Sequence, residues 1–360
     1  MRFKLTSQGA IFTSFLLCLA AVANPAAYDV KVPLGLVGPK IPSNNPVTEE
    51  KVALGKKLFY DESFSFNGHV ACATCHIPEH GFADITPIGF TSAGGQLARN
   101  TPTSINAALN DFQFWDGRAA SLEAQVADVA RPAGDTSINI NTAIKSCNSN
   151  PEYVAMFQKA FNSPPTPETF CQAISSYERT TLSGDTRFDR FLFKGEKDAL
   201  TPLEKKGYEV FTNKGNCTSC HTIVPPAADK PGNATFIDQK FHNIGIGAYG
   251  TRMKDAGRYY VTGERSDFGA FKTPTLRNVD LTSPYMHDGS LATLEKVVDY
   301  YDRGGNANKG LDPLMKPLHM TKEEKKALVA FLKTLSDDKL KKEYLPVKQI
   351  QARINKVLKQ

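Results

Sequence analysis

Two short cysteine–histidine strings constrain what this chain can become. Cys72-Ala-Thr-Cys-His76 and Cys217-Thr-Ser-Cys-His221 are both complete C-x-x-C-H pentads. In each, two thiols can add to the two vinyl groups of one porphyrin, and the next residue reaches the iron from the proximal side. The small residues between the thiols let the backbone pass close to the macrocycle. A lone C-x-x-C serves equally for zinc or for thiol redox chemistry. Two complete pentads in an exported chain point instead to two covalently bound haem c groups.

Export is read from the N-terminus. Arg2 and Lys4 precede a short apolar run, Ile11 to Ala21, and the small-residue site Ala21-Val-Ala23, which together form a secretory signal peptide over 1–23. The run is too short to cross a bilayer. An uncleaved anchor, or a lipid anchor at Cys18, is the alternative. The mature protein is expected in the periplasm, with no stable membrane span. Of 7 cysteines, Cys147 and Cys171 remain once Cys18 and the pentads are set aside. In an oxidising compartment they are expected to pair; two buried free thiols are the alternative. The formal charge of +6 is modest, and much of the excess lies in a tail from Lys339 to Lys359. Nucleic acid is not an expected partner.

The chain repeats one plan. Thr48 caps a helix whose apolar face is Val52, Leu54, Leu58 and Phe59. The first pentad follows, then long loops, then a helix from Pro167 to Leu182. Thr201-Pro202 opens a second such helix, in which Gly207-Tyr-Glu-Val-Phe211 mirrors Gly55-Lys-Lys-Leu-Phe59. The second pentad follows, and Thr321-Lys-Glu-Glu324 opens a closing helix that runs to Leu335. The expected fold is mainly α: two cytochrome c-like haem domains with long loops, arisen by duplication. The expected limits are an extended arm over 24–47, domains over 48–190 and 191–338, and a basic tail over 339–360. Val347, Ile350, Ile354, Val357 and Leu358 give that tail an amphipathic helical spacing.

Further strings narrow the class. Arg99-Asn-Thr-Pro-Thr103, Phe114-Trp-Asp-Gly-Arg118, Phe271-Lys-Thr-Pro-Thr-Leu-Arg-Asn278 and Ser283-Pro-Tyr-Met-His-Asp-Gly289 occur in that order. With the two pentads, they make the chain resemble the bacterial di-haem cytochrome c peroxidases, and within them the MauG-like branch, from about Thr48 to Leu335. The resemblance implies hydrogen peroxide as substrate at the His76 haem, and an electron-relay haem on His221. It implies Trp115 between the two. It places Gln125 beside the peroxide, with the family's glutamate replaced at Asp135 and Glu123 as a fallback on the helix surface. Many members close the peroxide iron with a histidine in the loop matching Ile88 to Gly94; none is present here, so an open iron is expected. His80 is read as structural.

The sixth ligand of the second iron is methionine in many members and tyrosine in the MauG-like branch, where Tyr301 stands. Tyr300, Met286, Met315 and Met253 remain alternatives. A phenolate lowers the potential and favours high-valent haem, and with it MauG-like oxidation of protein residues. His287 is expected to hydrogen-bond a haem propionate rather than to bind iron. The resemblance further implies a calcium ion on Asn100, Thr282 and Pro284, all oxygen donors. His242 and His319 receive no role. Electrons would come from a small periplasmic cytochrome c or cupredoxin, or from a protein substrate. A non-catalytic di-haem electron carrier is the competing class, distinguished by two saturated irons.

Overall fold

Each half is built on one pair of crossed helices, and a glycine sets each crossing. The computed structural model describes residues 28–65, 68–91, 95–131, 138–250, 252–345 and 347–357. The expected signal peptide with Cys18, and Asp135, lie outside them.

Helix α1 (Glu49–Tyr60) starts where the Thr48 side chain accepts from the Lys51 amide, with Glu49 and Glu50 in its first turn. That cap fills an orphan donor, and the acids suit the positive end of the helix dipole. Helix α2 (Cys72–Cys75) is the first pentad. Helices α3 (Leu122–Val129), α4 (Ile140–Ser149), α5 (Pro151–Phe161) and α6 (Pro167–Glu178) complete the half. Leu54, Leu58 and Phe59 of α1 pack with Phe170, Ala173 and Ile174 of α6 in one core. The two helices meet at Gly55, where an added Cβ would stand 1.9 Å from the Ala173 carbonyl oxygen.

The second half repeats this. After α7 (Arg187–Phe193), α8 (Pro202–Thr212) leads into a 3-10 turn, Cys217–Ser219, that holds the second pentad. Two-residue strands follow: β1 (Phe241–His242), β2 (Ala248–Tyr249) and β3 (Arg252–Met253). Helix α9 (Tyr259–Thr262) and strand β4 (Phe271–Lys272) come next. The pairs β1–β4 and β2–β3 are antiparallel, with Phe241 opposite Lys272. Helices α10 (Leu294–Asp302) and α11 (Lys322–Leu332) close the core. Gly207 of α8 repeats the Gly55 contact, its added Cβ falling 2.0 Å from the Ala327 carbonyl oxygen of α11. The fold is mainly helical and duplicated, as the repeat in the sequence implies.

The repeat reaches beyond the crossed helices. Asn106 and Asn278 both take left-handed conformations, at φ 61° and 59°, and both precede a 3-10 turn. Phe114 and Met286 do the same at φ 66° and 75°. At that offset Trp115 corresponds to His287, Leu122 to Leu294, and Val129 to Tyr301.

The arm and the tail fasten the halves. The arm is extended but anchored: Asn45 is fully buried and donates to Glu123 and to the Gln172 carbonyl. Gly35 accepts from Arg277 and from the Ala234 amide in the second half. Arg277 and Asp189 form a fully buried ion pair, with Nη2–Oδ1 at 2.7 Å. After α12 (Asp338–Glu343), helix α13 (Val347–Val357) returns to the first half, where Ile350 packs on Ile77 and Ile85. No helix among the described residues is long and apolar enough to cross a membrane.

Two expectations need correction. Cys147 and Cys171 do not pair; both are free thiols buried in the first core, packed as small apolar side chains. Glu123 is not a surface residue. It takes both Arg179 guanidinium nitrogens, at 2.7 and 3.0 Å, which draws it inward and holds its carboxyl below the ordinary range against the cost of burial.

Candidate active site

Each pentad folds as a tight turn that returns its histidine to its first cysteine. The His76 amide donates to the Cys72 carbonyl at 2.9 Å, and the His221 amide to the Cys217 carbonyl at 2.8 Å. Both rings are then oriented by backbone. His76 Nδ1 lies 3.2 Å from the Phe82 carbonyl, and His221 Nδ1 lies 2.9 Å from the Phe236 carbonyl. This leaves Nε2 of each ring as the ligating atom. Burial pushes both imidazoles towards the neutral, metal-binding form.

Two cavities open at these histidines. The first, about 690 Å³, is lined by Cys72, Cys75, His76, Phe59, Phe64, Ile174 and Gln125. The second is lined by Cys217, Cys220, His221, Leu328, Leu332 and Tyr301. Apolar walls, paired thiols at the rim and a backbone-oriented imidazole fit a covalently attached haem in each.

Trp115 and His287 line both cavities. Trp115 Nε1 donates to the Asn100 carbonyl at 2.9 Å, and its carbonyl accepts from Lys272 at 2.7 Å. Its ring meets His287 edge-on at 6.4 Å, and His287 stacks on Phe271 at 3.6 Å and 14°. Burial depresses His287 to about 4, so the ring is neutral. Asn100 turns its amide nitrogen to the Thr86 and Pro87 carbonyls, at 3.1 and 3.2 Å. Its side-chain oxygen is not used in those bonds, and Thr282 and Pro284 line the same cavity.

The two cavities differ where a sixth ligand would stand. Tyr301 lines the second, and its counterpart Val129 lines the first. Tyr300 is committed elsewhere: its hydroxyl donates to the Ile244 carbonyl at 2.8 Å and accepts from the Asn306 amide at 3.2 Å. Burial raises the Tyr301 phenol well above its ordinary range. Met286 and Met315 also line the second cavity; Met253 and His319 line neither. His80 is buried, with Nε2 at 2.6 Å from the Ser283 carbonyl, and joins the halves.

Sequence reasoning missed two groups. His242 sits between two carboxylates, 2.6 Å from Asp312 and 2.8 Å from Asp238. It is pushed up to about 10 by Cys220 and by both acids. Donor atoms of Cys220, Asp238 and His242 lie within 4.8 Å of one another. Cys220 is also the second thiol of the second pentad. The other group is Glu178, buried in the cavity wall. Its signal was available: Phe170, Ile174 and Glu178 fall at i, i+4 spacing on one face of α6.

Known proteins share this arrangement. A family model described as di-haem cytochrome c peroxidase matches residues 49–198, and a cytochrome c model matches 204–336. The cytochrome-c peroxidase IdrP1 of Denitromonas iodatirespirans is 36% identical over 92% of this chain and 96% of its own length. The methylamine utilization protein MauG of Methylorubrum extorquens is 37% identical over 82% and 80%. A solved MauG-like protein associated with microbial copper homeostasis superposes with a TM-score of 0.77 at 31% identity, covering 89% of this chain and 98% of its own. Two pentad cavities joined at one tryptophan, with these matches along nearly the whole length, place the chain in the di-haem cytochrome c peroxidase family.

Proposed function

We propose that this haem peroxidase reduces hydrogen peroxide in the His76 cavity, with electrons entering through the His221 half and crossing at Trp115. The asymmetry of the two cavities carries this reading. A phenol faces one cavity and a valine occupies the matching place in the other, so one metal is offered a sixth ligand and the other is left open to substrate. A pure electron carrier would need strong ligands on both.

Cys72, Cys75 and His76 would hold one haem c, and Cys217, Cys220, His221 and Tyr301 the other. When bound, the haems supply the redox-active iron on which two-electron reduction of peroxide depends. The protein's own groups do the rest. Phe82 and Phe236 fix the histidine rings through their carbonyls. Gln125 presents a buried oxygen with no protein partner and would orient peroxide. By resemblance, Asp135, outside the described residues, would replace the family's carboxylate. Trp115, held by Asn100 and Lys272, supplies an oxidisable ring between the cavities. A calcium ion on Asn100, Thr282 and Pro284 would pin the loops at that crossing. The donor would be a small periplasmic c-type cytochrome or cupredoxin, or, as in MauG-like members, residues of a partner protein.

The test is direct. The oxidised holoprotein should show one high-spin and one low-spin ferric signal by electron paramagnetic resonance, and peroxide should consume the high-spin signal. Two low-spin signals indifferent to peroxide would sink the proposal.

A further inference from the structure

Glu178 is a buried carboxyl left without a partner by everything described so far. It ends α6, is 7% exposed, and its Oε2 has no hydrogen-bond partner. It lines both cavities together with Gln125, whose buried Oε1 is likewise unpartnered. A carboxylate held in such a place needs a cation. The neighbouring cation is spent: Arg179 gives two nitrogens to Glu123 and its Nε to the Lys40 carbonyl, at 3.3 Å. The other ionisable groups around it offer no counter-charge. Glu123 on α3 is an acid, the Cys72 sulfur becomes a thioether on haem attachment, and His76 is driven neutral by burial.

We propose that Glu178 stands in the peroxide cavity as a neutral carboxylic acid and passes the proton that peroxide cleavage requires. The proposal rests on the peroxidase reading. When the O–O bond breaks, the departing oxygen takes the bonding pair and must gain a proton; the retained oxygen must lose one. The Glu178 hydroxyl gives its proton to the departing oxygen, which leaves as water. The carboxylate then recovers the proton released by the retained oxygen, and so ends as it began. The retained oxygen is then two electrons and two protons short of water; the electron donor of the overall reduction supplies the electrons and solvent the protons. Burial, the larger cause, holds the Glu178 acid up to about 8 against the opposing pull of Arg179, so the proton is present at neutral pH.

The experiment uses the holoprotein in two measurements. Carboxyl-region infrared spectra, without peroxide, should show a neutral-acid band at neutral pH that fades as pH rises through about 8 and is missing in Glu178→Gln. Stopped-flow mixing with hydrogen peroxide should show Glu178→Gln slowed by about a hundredfold, with its rate no longer falling across that pH range. Glu178→Asp, which keeps the acid but withdraws it by one methylene, should retain the band and lose rate. It also serves if the glutamine variant fails to bind haem. A band that persists in Glu178→Gln, or a glutamine variant as fast as the parent, overturns the proposal. A parent inert to peroxide overturns the peroxidase reading as well, whereas a reactive parent with an unaffected variant overturns only the role of Glu178.

Discussion

A histidine nitrogen already bonded to a backbone carbonyl leaves its ring only one atom to offer a metal. His76 and His221 are both set this way, so the backbone fixes the tautomer in which Nε2 is free to ligate. The partners beyond the histidines decide how the halves differ. Tyr301→Phe should keep both haems, as measured by pyridine haemochrome, yet turn over peroxide about tenfold or more slowly, with a changed low-spin signal. Trp115→Phe should leave the first reaction with peroxide intact and slow reduction by donor, seen as a split between the two stopped-flow phases. Glu178 makes a separate prediction about stability. Its folded acid titrates near 8, whereas an unfolded glutamic acid titrates near about 4.3. The folded protein therefore holds a proton that the unfolded chain has lost, and stability falls as pH climbs between those values. The thermal midpoint of Glu178→Gln should gain on the parent across that window and run parallel above it. The pentads were legible in sequence because their chemistry lies in adjacent residues, whereas Trp115 was reached by resemblance. The α6 face that carries Glu178 was legible too, but its burial without a partner was not, because Arg179 turns to Glu123 on another helix. Cys147 and Cys171 misled for a related reason: sequence counts thiols but does not show how they pack.

At the scale of elements, helix starts were readable and helix meetings were not. Thr48, Thr201 and Thr321 announce α1, α8 and α11 because a hydroxyl accepts an amide of the first turn. The mirrored strings at Gly55 and Gly207 showed a repeat, but not that each glycine touches a carbonyl of the closing helix. Gly207→Ala should force α8 from α11 at a cost of about 3 kcal/mol, read by denaturant unfolding. Gly55→Ala should do the same to α1 and α6. An alanine accepted at either place without loss would mean the helices do not meet there. The offset that pairs Val129 with Tyr301 was also present in the sequence. It becomes informative only once both are seen on cavity walls, because a valine in a helix otherwise reads as core.

Over the whole molecule, the Arg277–Asp189 pair is the best-buried link between segments far apart in the chain. It also gathers the arm through the Gly35 carbonyl. Asp189→Ala would strand a guanidinium away from water and should cost about 3–5 kcal/mol, measured by thermal or chemical unfolding of the holoprotein. The sequence suggested an arm and a tail but not their destinations, since Gly35 and Ile350 find partners hundreds of residues away or on the opposite half. Those destinations matter for the traffic of charge. Tunnelling weakens exponentially with separation, so a wire between two metals is only as good as the ruler that spaces them. Here the arm and the tail, each crossing between the halves, belong to that ruler.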